Sequence, residues 1–339
     1  MKTHNTTTLR KIAQMTEKSV NTVSRALNNK DGVSTETKDL INRVAMELNY
    51  RPNLMARGMR RKQSELIGVL VQDISNPFFI QMLEGAEVEA DKAGMNLLIC
   101  SSRGSIEKEQ KHINTFLSYN CSGMALNLVS PKADLIEKLK NEHRNIVILD
   151  APLKEDLNCA RICVDNEHDS LTVVEYLLRL GHRRVAIINP ELRTATMNER
   201  YTGYRRALEK YDLPEDPLLM RTCNDKDDAH QAALELATQR NGPTAIFIAK
   251  QSLGLSVVSA LMSAGVRIPE DISIAIFGEP DWAMVFKPRI TCMQRQVSEI
   301  GRMGIRILLS EIRGEKTEDN GRVVLSSQLM IRESVKIIS

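Results

Sequence analysis

Between positions 19 and 28 the sequence places Ser19, Asn21, Thr22, Ser24, Arg25 and Asn28 on a stretch whose apolar Val20, Val23 and Leu27 recur at helical spacing. Short hydroxyl and amide side chains with one guanidinium are the types that reach base edges and phosphates from a helix lying in the major groove of DNA. A solvated face on a small helical bundle uses the same types, and residue type alone leaves both readings open. Other chemistry finds no foothold. The six histidines (His4, His112, His143, His168, His182, His230) lack metal-ligand spacing, and no Ser/His/Asp or paired-carboxylate arrangement stands out. No enzyme activity, metal or cofactor is therefore expected.

The elements that would position this face are three short helices. Leu9, Ile12, Ala13 and Met15 recur at helical spacing after Thr8, a candidate cap. Ser19 opens the second segment, and a third begins near Ser34 and Thr35, burying Leu40, Ile41, Val44, Ala45 and Leu48 until Tyr50 and Pro52 stop it. A tight connection between the first two makes a helix-turn-helix unit. Charge singles out the same region. Across 339 residues the formal charge is only +3, yet residues 1–64 carry 13 Lys and Arg against 5 Asp and Glu, so the rest of the chain is mildly acidic. A basic head on an acidic body points to a polyanionic partner for the head.

The residues then form a recognisable string: Thr22-Val23-Ser24-Arg25-Ala26-Leu27-Asn28, Val33-Ser34, Glu47-Leu48-Asn49-Tyr50-Arg51-Pro52-Asn53 and Ala56-Arg57. It resembles the DNA-binding head of the lactose/galactose repressor (LacI/GalR) family. The resemblance implies base reading by Val20 and Asn21, with supporting contacts from Leu9, Ser19, Thr22, Ser24, Arg25, Asn28 and Tyr50. Val20 would supply an apolar contact, such as to a thymine methyl. Where the family has Gly-Val in the turn, this chain has Glu17-Lys18. Asn53, Ala56, Arg57, Met59 and Arg60 fall on the short hinge helix that the family orders on DNA, with Met59 where a Leu usually wedges into the minor groove. An isolated helix this short is unstable.

From Leu66 the pattern changes to short apolar strands (66–71, 95–100, 124–128, 146–149, 185–188, 218–222, 245–249, 272–277) alternating with amphipathic stretches such as 78–93, 171–180 and 253–264. That alternation predicts an α/β body of doubly wound parallel sheets, and its length predicts two lobes. Asn76-Pro77-Phe78-Phe79, Gly181-His182-Arg183-Arg184, Arg200-Tyr201-Thr202-Gly203-Tyr204, Pro269-Glu270-Asp271, Pro288-Arg289-Ile290-Thr291 and Arg332-Glu333-Ser334 resemble landmarks of the same family in the same order. The resemblance therefore spans the chain and implies a periplasmic-binding-protein-like pair of lobes with crossovers near residues 163, 292 and 323. The expected division is 1–50 for the helix-turn-helix domain, 51–64 for the hinge, 65–163 with 293–323 for one lobe, and 164–292 with 324–339 for the other.

By the same resemblance a small effector binds between the lobes against Asn76, Phe78, Phe79, Asn127, Asp150, Arg200, Lys250, Glu279 and Arg295. Three departures shift the chemistry. Lys250-Gln251 stands where relatives have Asn-Asp, Gly278 replaces an Asp, and Arg295 falls where Gln is common. Two added cations and one lost anion favour a sugar acid or sugar phosphate over a neutral sugar. Salt bridges from Lys250 and Arg295 to Glu279 and Asp150 are the competing expectation.

The sequence thus reads as a repressor of a sugar or sugar-acid catabolic operon, binding a palindromic operator as a homodimer. The alternative is a cytoplasmic sugar-binding or sugar-metabolising protein with an incidental head. A polar N-terminus and the lack of a long apolar run lead us to expect a cytoplasmic protein that spans no membrane, and Ser339 follows the last landmark too closely for a tetramerising helix. Cys100, Cys121, Cys159, Cys163, Cys223 and Cys292 read as reduced thiols.

Overall fold

The computed structural model describes residues 8–29, 31–50, 64–129, 131–142, 144–153, 157–192, 194–315 and 322–338. Two compact units divide the chain, Met1–Ser64 and Glu65–Ser339. The expected hinge contacts Asn53, Ala56, Arg57, Met59 and Arg60 lie outside the described residues.

The first unit is a three-helix bundle: α1 (Leu9–Thr16), α2 (Val20–Leu27) and α3 (Thr35–Glu47). Ile12, Val23 and Ile41, one from each helix, are fully buried at its centre. The Ser19 hydroxyl caps α2 by accepting from the Thr22 amide at 3.0 Å, and Ser34 caps α3 through the Thr37 amide at 3.4 Å. Thr8 holds the N-cap position of α1, but its side chain makes no capping bond, so that expectation is corrected. Glu17 ends α1 in the left-handed region, at φ 52° and ψ 32°, and its amide reaches back to the carbonyls of Ala13 and Gln14. A glycine meets that geometry without strain, so Glu17 carries a conformational cost there that a glycine avoids.

The second unit holds two six-stranded sheets. Its first strands and helices are β1 (Leu66–Val71), α4 (Pro77–Lys92), β2 (Asn96–Ser101), α5 (Ile106–Ser118), β3 (Gly123–Leu126), α6 (Ala133–Asn141), β4 (Asn145–Ala151) and β5 (Ala160–Val164). There follow α7 (Asn166–Arg179), β6 (Val185–Asn189), α8 (Ala195–Lys210), β7 (Met220–Thr222), α9 (Lys226–Thr238), β8 (Ala245–Ile248), α10 (Gln251–Ser263), β9 (Ser273–Phe277) and the short α11 (Trp282–Val285). β10 (Thr291–Gln294), α12 (Val297–Ile312), β11 (Arg322–Leu325) and β12 (Gln328–Met330) complete it.

The first sheet runs β11-β5-β4-β3-β1-β2, parallel throughout, and the second runs β12-β10-β9-β8-β6-β7, with only β12 antiparallel. Continuous apolar runs such as Leu66–Val71 and Ala245–Ile248 are buried on both faces because helices cover both sides of a parallel sheet. The chain passes between the sheets three times, after Val164, after Gln294 and after Leu325.

Two features position the cleft between the sheets. Helices α4 and α12 touch backbone to backbone: a Cβ on Gly85 would lie 1.9 Å from the Ser298 carbonyl oxygen, and one on Gly301 would lie 1.8 Å from that of Met82. That contact fixes α12, and with it the segment carrying Arg295. Strand β4 also loses register against β5 between Ile148 and Ala151, where Asp150 takes φ 52°. The kink sets Asp150 on the cleft wall.

Several of the sequence landmarks hold the C-terminal segment onto the second sheet. The His182 ring bonds Thr244 Oγ1 at 2.8 Å and the Lys336 carbonyl at 3.1 Å, the Ser334 hydroxyl donates to the Ile274 carbonyl at 2.7 Å, and Arg289 forks onto Glu333. Among the described residues, no helix is long and apolar enough to cross a membrane, and no three His, Cys, Asp or Glu side chains gather as a metal site. The six cysteines are free, and burial pushes the thiols of Cys121, Cys159, Cys163, Cys223 and Cys292 up to about 11.

Candidate functional site

On the head, the N-terminal part of α2 leaves Ser19, Val20 and Asn21 exposed, along with Arg25 one turn later. Thr22, Ser24, Asn28, Leu9 and Tyr50 are half-buried around them. Thr22 and Ser19 share a hydroxyl contact at 2.8 Å, and Asn28 Nδ2 donates to the Ser24 carbonyl at 2.6 Å. Arg25 Nε donates to the Asp31 carbonyl at 3.2 Å, with Nη2 on the same oxygen. Its planar fork is thereby held against the α2–α3 loop, beside Gly32. The arrangement offers a compact hydrogen-bonding surface with one apolar side chain and one fixed cation.

In the body, the carboxyl ends of both sheets line a cleft of about 690 Å³. Ligands in open parallel sheets bind beyond those ends, because the loops there can vary while the strands stay fixed. Asn76, Phe78, Phe79, Asn127, Asp150, Arg200, Lys250 and Arg295 all line it. Glu279 does not. Its carboxylate is taken by Arg332 and by the Gln294 amide, and it faces a separate cavity of about 240 Å³ beside Gln81 and Asp281. The expectation that it lines the effector cleft is corrected accordingly.

Each lining residue has a local reason for its place. Asn76 caps α4 by accepting from the Phe78 amide at 3.1 Å. The Phe78 and Phe79 rings meet edge to face at 5.0 Å and are mostly buried in the core of the first sheet. Asn127, just beyond β3, donates to the Leu149 carbonyl at 2.9 Å, which leaves its buried Oδ1 without a partner among the described residues. Arg200 is set by a chain of bonds. The Leu153 amide donates to Glu199 at 3.0 Å, Asn166 Nδ2 donates to the same carboxylate at 3.0 Å, and Arg200 Nε donates to Asn166 Oδ1 at 3.0 Å. Arg200 Nη1 then reaches the Ala249 carbonyl at 2.8 Å.

The cleft is electrostatically unbalanced. Phe277 carries Arg200 at 3.9 Å and Arg295 at 5.1 Å from its ring centroid, and Arg295 also stacks over Phe78 at 4.4 Å. Arg295 Nη1 is 4.0 Å from Asp150 Oδ1, too far for a hydrogen bond, and both atoms are buried without one. Burial, with Arg295 beside it, pushes the Arg200 pKa down to about 9. Lys250 is half-buried, has no ion-pair or hydrogen-bond partner among the described residues, and is depressed first by burial and then by Arg200. It occupies the N-cap of α10, where a side chain that cannot accept leaves the helix uncapped and opposes the dipole. Of the competing ion pairs, Arg295–Asp150 is present at 4.0 Å, and Lys250–Glu279 is absent among the described residues, since Glu279 is committed to Arg332.

Sequence reasoning missed Arg103, Thr194, Thr196 and Asn224, which also line the cleft. Each follows or stands close after a strand, so the carboxyl-end rule was the signal that could have found them.

Residues 8–53 match the family described as "Bacterial regulatory proteins, lacI family", and residues 174–335 match "Periplasmic binding protein-like domain". The chain is 28% identical to the HTH-type transcriptional repressor PurR of Vibrio atlanticus (strain LGP32), covering 98% of this chain and 99% of that one. It is 27% identical to the ribose operon repressor of Haemophilus influenzae, over 97% and 98% of the two chains. In structure it is similar to the Lac repressor dimer bound to operator and an anti-inducer, with a TM-score of 0.85 at 22% identity over 97% of this chain and 99% of that one.

Proposed function

Because the chain belongs to the lacI family of bacterial regulatory proteins, we propose that this DNA-binding transcriptional repressor, which is not an enzyme, controls a sugar or sugar-acid catabolic operon and answers to an anionic effector, a sugar acid or sugar phosphate. The carrying observation is Lys250, half-buried beside Arg200 and without an ion-pair partner among the described residues, while Arg295 has Asp150 at 4.0 Å without a hydrogen bond. Buried cations are ordinarily paired, so an anion would relieve what this cleft leaves open.

The reading includes a homodimer on a palindromic operator, acting in the cytoplasm where the DNA is. One head reads one half-site, with Val20 and Asn21 at base edges and Ser19, Thr22 and Arg25 supporting them. The effector occupies the cleft between the two lobes, whose expected bounds (65–163 with 293–323, and 164–292 with 324–339) shift by one or two residues to the crossovers after Val164, Gln294 and Leu325. Binding changes the angle between lobes, which shifts operator affinity through differential binding to two states.

A thermal-shift screen with hexuronates, aldonates, keto-deoxy acids and sugar phosphates, each beside its neutral parent, tests the effector class. A true effector at a hundredfold excess over its Kd stabilises by about 2.7 kcal/mol. Stabilisation by a neutral sugar and by none of the acids would contradict the reading.

A further inference from the structure

Resting on the anionic-effector reading, we infer that the cleft holds its ligand in one orientation, with hydroxyl groups against the first sheet and the acid group against Lys250 and Arg200 on the second. The two walls differ in what they leave unsatisfied. Among the described residues lining the first-sheet side, the buried atoms without a hydrogen bond are Asn127 Oδ1 and Asp150 Oδ1, with Arg295 Nε and Nη1 on the crossover beside them, and Arg103 adds one exposed cation. The buried atoms are acceptors and donors in one patch, and their charges offset each other. A carboxylate or phosphate cannot donate to Asp150 or Asn127. A hydroxyl group both donates and accepts, so neighbouring hydroxyls satisfy both carboxylate and guanidinium.

The second-sheet side sets two cations, Lys250 and Arg200, against one lining carboxylate, Glu191. Lys250 follows β8 and heads α10, whose N-terminal amides it cannot cap. Arg200 spends Nε and Nη1 on Asn166 and Ala249, and its Nη2 makes no hydrogen bond among the described residues. The nearby acids are engaged elsewhere: Glu199 accepts from Leu153 and Asn166, and Asp169 accepts from the Ser327 hydroxyl at 2.5 Å. Across the cleft, Asp73 accepts from the Ser75 amide and hydroxyl at 3.0 and 2.7 Å. An ammonium, a guanidinium edge and uncapped helix amides together suit an oxyanion. A polyhydroxy acid therefore bridges the two sheets, while its neutral parent engages one.

Calorimetry separates these roles. D-Gluconate, D-galacturonate and D-glucose 6-phosphate are titrated beside D-glucose and D-galactose into the full chain, Lys250→Gln, Lys250→Arg and Asp150→Asn. The inference predicts that Lys250→Gln weakens the acid at least tenfold while changing its neutral parent less than threefold, that Lys250→Arg retains the acid, and that Asp150→Asn weakens both. Lys250→Gln should melt no lower than the wild type in the absence of ligand, since it removes an unpaired cation from a helix N-terminus. If the wild type binds an acid and Lys250→Gln alters acid and parent equally, or neither, the orientation is wrong and the anionic reading stands. If the wild type binds none of the three acids more tightly than the neutral sugars, the anionic reading fails and the orientation with it.

Discussion

Arg295 Nη1 and Asp150 Oδ1 face each other at 4.0 Å, both side chains less than a tenth exposed and neither atom hydrogen-bonded among the described residues. The pair comes from two separate elements, one from each sheet. Asp150 sits where β4 loses register, and Arg295 sits where the chain leaves β10 for α12. Desolvation is imposed on both groups, and the hydrogen bonds that normally offset it are not made.

Asp150→Asn tests that relationship in the free protein. Asn tolerates the left-handed backbone that Asp150 adopts, so the change isolates the charge. Removing one partner of a well-bonded buried pair costs about 3–5 kcal/mol. Without a direct hydrogen bond here, we expect a loss of about 1–2 kcal/mol, by the same reasoning at longer range. The urea midpoint of the body measures it, and an unchanged or higher midpoint would show that Arg295 gains nothing from Asp150.

Glu17 gives a second prediction, in the head. At φ 52° it adopts a conformation that glycine takes freely. Glu17→Gly should stabilise the three-helix unit by about 0.5–1 kcal/mol, the left-handed strain relieved less the added entropy of the unfolded chain. A lower denaturation midpoint for the head would contradict it.

Acid binding should also depend on pH through Lys250. Burial first, and Arg200 second, hold its pKa below the usual lysine value, with Asp73 pulling the other way. The free cleft therefore releases this proton more readily than an exposed lysine does. Affinity for the acid is full below the depressed pKa and falls as pH rises through it, and Lys250→Arg reduces that fall to the part carried by Arg200, whose pKa burial holds at about 9. For the ligand-free fold the sign is opposite: a base with a depressed folded pKa costs stability at low pH, and the cost is recovered between its folded pKa and 10.5. Calorimetric titrations at rising pH check the ligand effect, and affinity that rises over the same range would refute it.

Arg25 and Arg200 separate the two units. Arg25→Ala should weaken operator binding by at least tenfold, both through a lost cation and through a loosened α2–α3 loop, since Arg25 holds the Asp31 carbonyl. Arg200→Ala should abolish the effector response with operator binding retained, at about 1–3 kcal/mol of stability for the buried groups it leaves unpaired. Gel shifts on both variants, with and without ligand, check the pair, and a reversal of phenotypes would overturn the assigned roles.

Much of the architecture was legible in the sequence because its strands are continuous apolar runs and its helices carry caps. The strand at Leu66–Val71 falls as read, and the helix read at 78–93 starts one residue earlier, on Pro77. What the sequence hid is short or long-range. β5 has Arg161 in the middle of its apolar run, buried all the same, and β11 and β12 span only four and three residues, below the length at which alternation is visible. The strand read at 218–222 shortens to Met220–Thr222 because Pro217 starts a turn of 3₁₀ helix.

Within the cleft, Arg200 was legible from its motif, but the Leu153–Glu199–Asn166 relay that aims it joins residues up to 46 apart. Glu279 was misplaced for the same kind of reason. Nothing near it in sequence announces that Arg332, 53 residues on, closes over its carboxylate. The αL kink at Asp150 likewise follows from a change of strand register, which local propensity does not carry.

The account stands or falls on operator binding that responds to ligand. Fluorescence anisotropy of the full chain on labelled duplexes from the DNA upstream of its own gene, titrated at physiological salt with and without a saturating sugar acid, measures this directly. The account predicts saturable binding at roughly 10 nM or tighter, steep weakening with salt, and at least a tenfold change in affinity when the acid is added. Affinity no greater than for an unrelated duplex, with the acid present and absent, would contradict it.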